Sequence, residues 1–257
     1  MGESACILFE SWVPDAPELK IRFIGTVRTT SGSAKWVQDA ERVPGMVKAV
    51  ESWRLFWLLA LAASAAICLG LPLADFHSAR GTAPMILRSV RYALPLFLLA
   101  FTASSLATLC PSPLTRWLLR NRRYIGLGFA FAMAWHFSFV GYSIFSFGLS
   151  ASGLTARGLA LDLIGLVFLV LMTLTSFRWS ARRLTSANWR RLHKTGVYVI
   201  WFVATYIYLN SLRNGLDAFR VAATSLLFAA LVLRVVVWIN SRSRGAITTS
   251  TIGGTST

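Results

Sequence analysis

Six stretches of this chain stay apolar for about the length a helix needs to cross a bilayer, roughly 17–25 residues. They are Leu55–Leu73, Tyr92–Leu109, Tyr124–Phe147, Leu159–Phe177, Thr195–Leu212 and Phe219–Ile239. No other feature constrains the fold as far, because a backbone in lipid must satisfy its polar groups internally, which stretches of this length do as helices. Glycines such as Gly126, Gly128, Gly141 and Gly165 would weaken soluble helices, yet in a bilayer small residues let helices approach closely. Only 14% of the residues are charged, against about a quarter in a soluble domain. The expected fold class is therefore an all-α integral membrane protein, a bundle of six transmembrane helices.

The net charge of +16 would suit a nucleic-acid binder if the arginines formed a tail or a stripe. They cluster instead between the apolar blocks, so no nucleic acid is expected as a partner; the partner is the lipid bilayer. Arg116, Arg120, Arg122 and Arg123 follow span two, and Arg178, Arg182, Arg183, Arg190, Arg191 and Lys194 follow span four. With Arg242 and Arg244 in the tail they make twelve, against six (Arg80, Arg88, Arg91, Arg157, Arg213, Arg220) in the alternate connections. Lysine and arginine accumulate on the cytoplasmic side, so both termini are expected there in a multi-pass protein of the bacterial inner membrane. Arg234, near the end of span six, can snorkel to the same side.

The flanks divide the chain further. Residues 1–48 read as a cytoplasmic extension, partly disordered, with a short strand candidate at Ile21–Val27 and without the short apolar core of a cleavable leader. Residues 49–240 form the membrane domain, and 241–257, small and polar, a flexible cytoplasmic tail. Neither flank is expected to hold a nucleotide-binding domain. Cys6, Cys68 and Cys110 lie far apart without CxxC spacing and read as inert packing residues.

Three histidines remain. His136 sits inside span three, 12 residues past Tyr124, hence about 18 Å from its basic end. An ionisable residue at that depth is a functional candidate, although a neutral imidazole bonded to a neighbouring helix carbonyl or hydroxyl also explains it. His193 closes NWRRLHK at the basic mouth of span five, where an interfacial histidine facing lipid phosphate is the plain reading. His77 reads as a solvated loop residue. The sequence has no HExxH, GxSxG, P-loop, GxGxxG or Cys/His cluster, and no paired catalytic carboxylates. Imidazole as an axial haem ligand is the use that remains for these histidines.

RNRRYIGLGFAFAMAWH resembles the third span of ferric reductase-like transmembrane proteins, where a basic pair, GL and a small-aromatic run lead to a haem-binding histidine. TSFRWSARRLTSANWRRLHKTGVY resembles their approach to span five, with Thr175, Ser176, Trp189, Leu192, His193 and Tyr198 in the corresponding places. The likeness runs over about Val90–Val237. Within the family the pattern is nearest to the haem-binding membrane subunits of bacterial periplasmic methionine sulfoxide reductase systems. Family members carry a second span-five histidine some thirteen residues after the first; here that place holds Tyr206. Tyr206 lies about 19 Å past His193, at the level of His136.

The resemblance implies a six-helix bundle binding haem b and moving electrons from a separate donor, a quinol or a flavin, to a periplasmic acceptor protein. His136, His193 and Tyr206 are its candidate cofactor residues, the two histidines as iron ligands. Three arrangements stay open: an outer haem on His136 with Tyr206 or another group opposite, a separate inner haem on His193, or a scaffold that has lost haem.

Overall fold

The computed structural model describes residues 52–152, 155–177 and 184–252. The expected extension at 1–48 with its strand lies outside the described residues, as do Cys6, Arg178, Arg182, Arg183 and the last five residues. What is described is all-helical. Six α-helices follow one another: α1 (Trp53–Cys68), α2 (Ala79–Leu109), α3 (Pro113–Ala151), α4 (Ala156–Leu174), α5 (Ser186–Ser211) and α6 (Ala218–Ile252).

A hydroxyl starts each of α2 to α5. The side chains of Ser78, Thr155 and Thr185 accept from the backbone N–H of Gly81, Gly158 and Asn188. Ser112 forms a reciprocal capping box with Thr115 and is followed by Pro113 at the first helical position. These caps sit well before the apolar runs, which corrects the loop assignments. Arg80, Arg88 and Arg91 lie on α2, and Arg116, Arg120, Arg122 and Arg123 on α3, all in helix rather than in connections. Arginine is a good helix former, and nothing obliges a helix to end where hydrocarbon does. α3 bends at Gly148, whose φ of 78° is open to glycine and costly to other residues. α6 continues to Ile252, past the Ile239 end expected for span six.

Four helices, α2, α3, α4 and α6 (over Ala218–Ser241), are long and apolar enough to cross a membrane; α1 is a shorter apolar helix of 16 residues. α5 spends its first turns on Arg190, Arg191 and Lys194, which shortens its apolar part. The exposed surface is what a bilayer solvates. On α4 only Leu169 is fully buried, while Leu163, Ile164, Val167, Val170, Leu171 and Leu174 stand exposed. The chain is an integral membrane protein.

Packing runs around the bundle. α3 lies against α1 and, most extensively, α2; α2 lies against α6, α6 against α5, and α5 against α4. Direct contact between α3 and α5 is slight at most. The main core joins Phe97 and Phe101 of α2, Phe129 and Ala132 of α3, Ile200 of α5 and Leu227 of α6. α4 and α5 meet closely at Gly196, where a Cβ would collide with the Met172 sulfur.

Candidate functional site

His136 is 6% exposed and faces α2. Its Nδ1 lies 3.4 Å from the Ile86 carbonyl oxygen and 3.4 Å from Ser89 Oγ. Ser89 Oγ–H itself donates to the same carbonyl at 2.7 Å. A carbonyl only accepts, and the Ser89 proton is already committed to it, so Nδ1 carries the imidazole hydrogen. Nε2 is then the bare lone pair, and among the described residues it carries no hydrogen bond. The ring is held in orientation through Nδ1, and Nε2 keeps its lone pair.

This contact belongs to a seam. Two helical turns away along the same interface, Thr82 Oγ1 meets Ser143 Oγ at 3.5 Å, both residues fully buried. Thr82 and Ser89 on α2, and Ser143 and His136 on α3, are each seven apart, the pairing of two antiparallel helices. Small polar residues of this kind hold membrane helices together without a hydrophobic driving force. Beside the seam Phe139 stacks between Phe76 and Trp135, and Trp135 Nε1–H donates to Ser64 Oγ of α1 at 3.3 Å.

His193 is held differently, at the joint between α4 and α5. Its Nε2 lies 3.0 Å from Thr175 Oγ1, and that hydroxyl donates to the Leu171 carbonyl at 2.7 Å. Thr175 Oγ1 is therefore the acceptor and His193 Nε2 the donor. Trp189 stacks on the imidazole at 4.1 Å, and its Nε1–H donates to the Thr175 carbonyl at 3.0 Å. Thr175, Trp189 and His193, quoted from the sequence as a motif, thus form one bonded cluster. Tyr198 lies one turn further in, its ring 6.0 Å from Phe101 of α2 and 5.2 Å from the Arg234 guanidinium of α6.

The histidines are far apart. Twelve residues of α2 separate Ser89 from Phe101, and five residues of α5 carry Tyr198 on to His193, about 25 Å in all. They do not share one iron. Tyr206 is 40% exposed on α5, and no hydrogen bond or ring contact joins it to His136. Its level is close, however. Tyr208 and Arg91 both meet Phe219, which places Tyr206 within about 6 Å of His136 in depth. His77 is exposed, its backbone N–H on Asp75 Oδ1 at 2.9 Å. Ser78 Oγ–H and then the His77 N–H hold the Asp75 carboxylate below its ordinary pKa. Among the described residues no group of three or more His, Cys, Asp or Glu is gathered for a metal ion.

The sequence reading did not name Ser89, Ile86, Thr82 or Ser143. The seven-residue spacing on both helices was the available signal for three of them; the Ile86 carbonyl leaves none, since every residue has one.

Over 121 residues the chain is 38% identical to the "Protein-methionine-sulfoxide reductase heme-binding subunit MsrQ" of Yersinia pseudotuberculosis serotype O:1b, strain IP 31758. The match covers 42% of this chain and 57% of that protein. The subunit of the same name from Yersinia pestis, strain Pestoides F, matches at 38% over 121 residues, covering 42% of this chain and 56% of its own length. The chain is a distant homologue of this haem-binding subunit. It spans a little over half the length of these relatives. No family model and no solved structure matches it.

The donor set suits haem at His136. An axial histidine uses neutral Nε2 and gives its Nδ1–H to a carbonyl or similar acceptor, which fixes the ring and raises its basicity. His136 has both features. His193 has the opposite arrangement, its Nε2 bound to Thr175.

Proposed function

We propose that this chain is a b-type haem-binding protein of the bacterial inner membrane that passes electrons to a periplasmic acceptor. The donor is a separate molecule, a quinol or a flavin. The observation that carries the reading is the His136 ring, anchored through Nδ1 on Ile86 and Ser89 and bare at Nε2, in a chain homologous to a haem-binding subunit.

Haem supplies the one-electron couple; the chain's work is to hold and surround it. His136 would hold the haem iron through Nε2. Ser89 and Ile86 keep its tautomer, and their hydrogen bonds tune its donor strength. Tyr206 of α5, or another group, would supply the second ligand. His193 is a candidate for a second, inner iron, and that role requires Nε2 to leave Thr175. All six helices span in this reading, α1 and α5 included, with both termini cytoplasmic and the arginine-rich ends of α3 and α5 facing the donor.

One observation favours a second reading, a haem-free membrane scaffold or assembly subunit. Ser89 and Ile86 satisfy His136 as a helix–helix contact, and α5 offers Tyr206 where a second histidine would stand. Absorbance of the purified protein separates the two. A Soret band that sharpens on reduction, with haem in stoichiometric amount after extraction, is the expected result. A colourless protein after expression with ample haem selects the scaffold.

A further inference from the structure

A groove of about 560 Å³ opens between α4 and α5, lined by Lys194, Thr195 and Tyr198 at one end and by Ile164, Phe202 and Val203 beyond them. From Lys194 to Val203 it follows nine residues of α5, about 14 Å of helix rise. That is the depth of one leaflet, half of the roughly 30 Å hydrocarbon core. The polar end is electropositive. Among the described residues the ammonium of Lys194 and the hydroxyl of Thr195 make no hydrogen bond or ion pair, Arg190 and Arg191 stand exposed one turn before them, and Arg234 faces Tyr198. The described carboxylates lie away from this polar end: Asp75 and Asp217 precede α2 and α6 at the opposite end of the bundle, and Asp162, in the second turn of α4, stands between Leu161 and Ile164 at the far end of the groove. Among the described residues no carboxylate stands at the cationic mouth of the groove.

We propose that this groove seats an anionic phospholipid, its phosphate at Lys194 and Thr195 and one acyl chain along Ile164, Phe202 and Val203. Length and polarity fit a single chain with a charged head at the membrane surface. The surrounding arginines favour a head without a compensating cation, because a choline or ethanolamine group would meet Arg190 and Arg191. The seat is separate from the His136 site: it lies on the α4–α5 side, and none of His136, Ser89 and Ile86 lines it.

Native mass spectrometry of the full-length protein, equilibrated with phosphatidylglycerol and phosphatidylcholine of matched chains, tests this. One basic side chain near the membrane surface favours anionic lipid by about fivefold, so phosphatidylglycerol adducts should dominate by at least that ratio. Lys194→Gln should bring the ratio towards parity, and a bulky substitution at Val199, which also lines the groove, Val199→Trp, should lower retention of both lipids. The wild-type competition stands without either variant. Equal retention of the two lipids overturns the proposal, as does a preference that survives Lys194→Gln. Displacement of the lipid by glycerol phosphate would make the site one for free phosphate, and one-for-one displacement by a quinone analogue would make it a quinone site; either result overturns it too.

Discussion

His136 and His193 are both histidines on helix faces, and their surroundings assign opposite nitrogens. At the α2–α3 seam a carbonyl and a serine take the Nδ1 proton, and Nε2 is left free. At the α4–α5 joint a threonine takes Nε2, and a tryptophan covers the ring. The difference lies in a neighbouring acceptor rather than in depth or burial. Where the acceptor sits on Nδ1, Nε2 keeps its lone pair; where it sits on Nε2, that nitrogen is engaged in tying two helices together. Ionisable character inside a membrane is thus too coarse a guide to function, and the hydrogen-bond partner is the finer one.

Changes at the two rings should have the largest effects. His136→Ala is expected to remove nearly all bound haem, measured by haem extraction against protein, while His193→Ala leaves most of it. Equal loss in both variants would put iron on each histidine. Next in size, Tyr206→His places a second imidazole near the depth of His136 and should strengthen haem retention, with a low-spin bis-histidine spectrum; Tyr206→Phe should change it less. The supporting shell comes third. Ser89→Ala leaves the Ile86 carbonyl to hold Nδ1 alone and should weaken haem affinity by about tenfold, the lower end for such partners. Thr175→Val should instead cost about 1–3 kcal/mol of stability, because the His193 Nε2–H loses its acceptor, with the haem spectrum unchanged.

The smallest expected effect lies outside the membrane. Asp75 accepts from Ser78 and His77 just before α2, and these bonds depress its folded pKa below 3.8. A depressed carboxylate stabilises the fold above its unfolded pKa, and that contribution disappears as pH falls through the lower, folded value. The α2 start should therefore loosen only in acid below about pH 4. Asp75→Asn should abolish this local pH dependence in hydrogen exchange of Gly81 and Thr82.

The helices themselves were legible because apolar runs of membrane length have few other uses. Their starts were not read, although the hydroxyl caps at Ser78, Ser112, Thr155 and Thr185 are written in the sequence. Attention to hydropathy placed α2 and α3 more than ten residues too late, since arginine is helical without being apolar. His136 was legible as a candidate from its depth alone. Its decisive partner was not, because the Ile86 carbonyl is backbone and carries no residue signature. Thr175 and His193 were quoted together from a motif, but their 3.0 Å contact depends on how α4 and α5 fold back on each other, which spacing does not fix.

In the proposed function His136 Nε2 is an iron ligand and not merely the idle side of a helix–helix contact. The most direct test of that role is His136→Gly, a cavity variant, reconstituted with haem and titrated with free imidazole. Reduced-minus-oxidised spectra should show little haem without imidazole and recovery of the parent Soret and α bands as imidazole fills the vacated position. A parent-like spectrum in His136→Gly before any imidazole is added, or no haem in the parent itself, would contradict it.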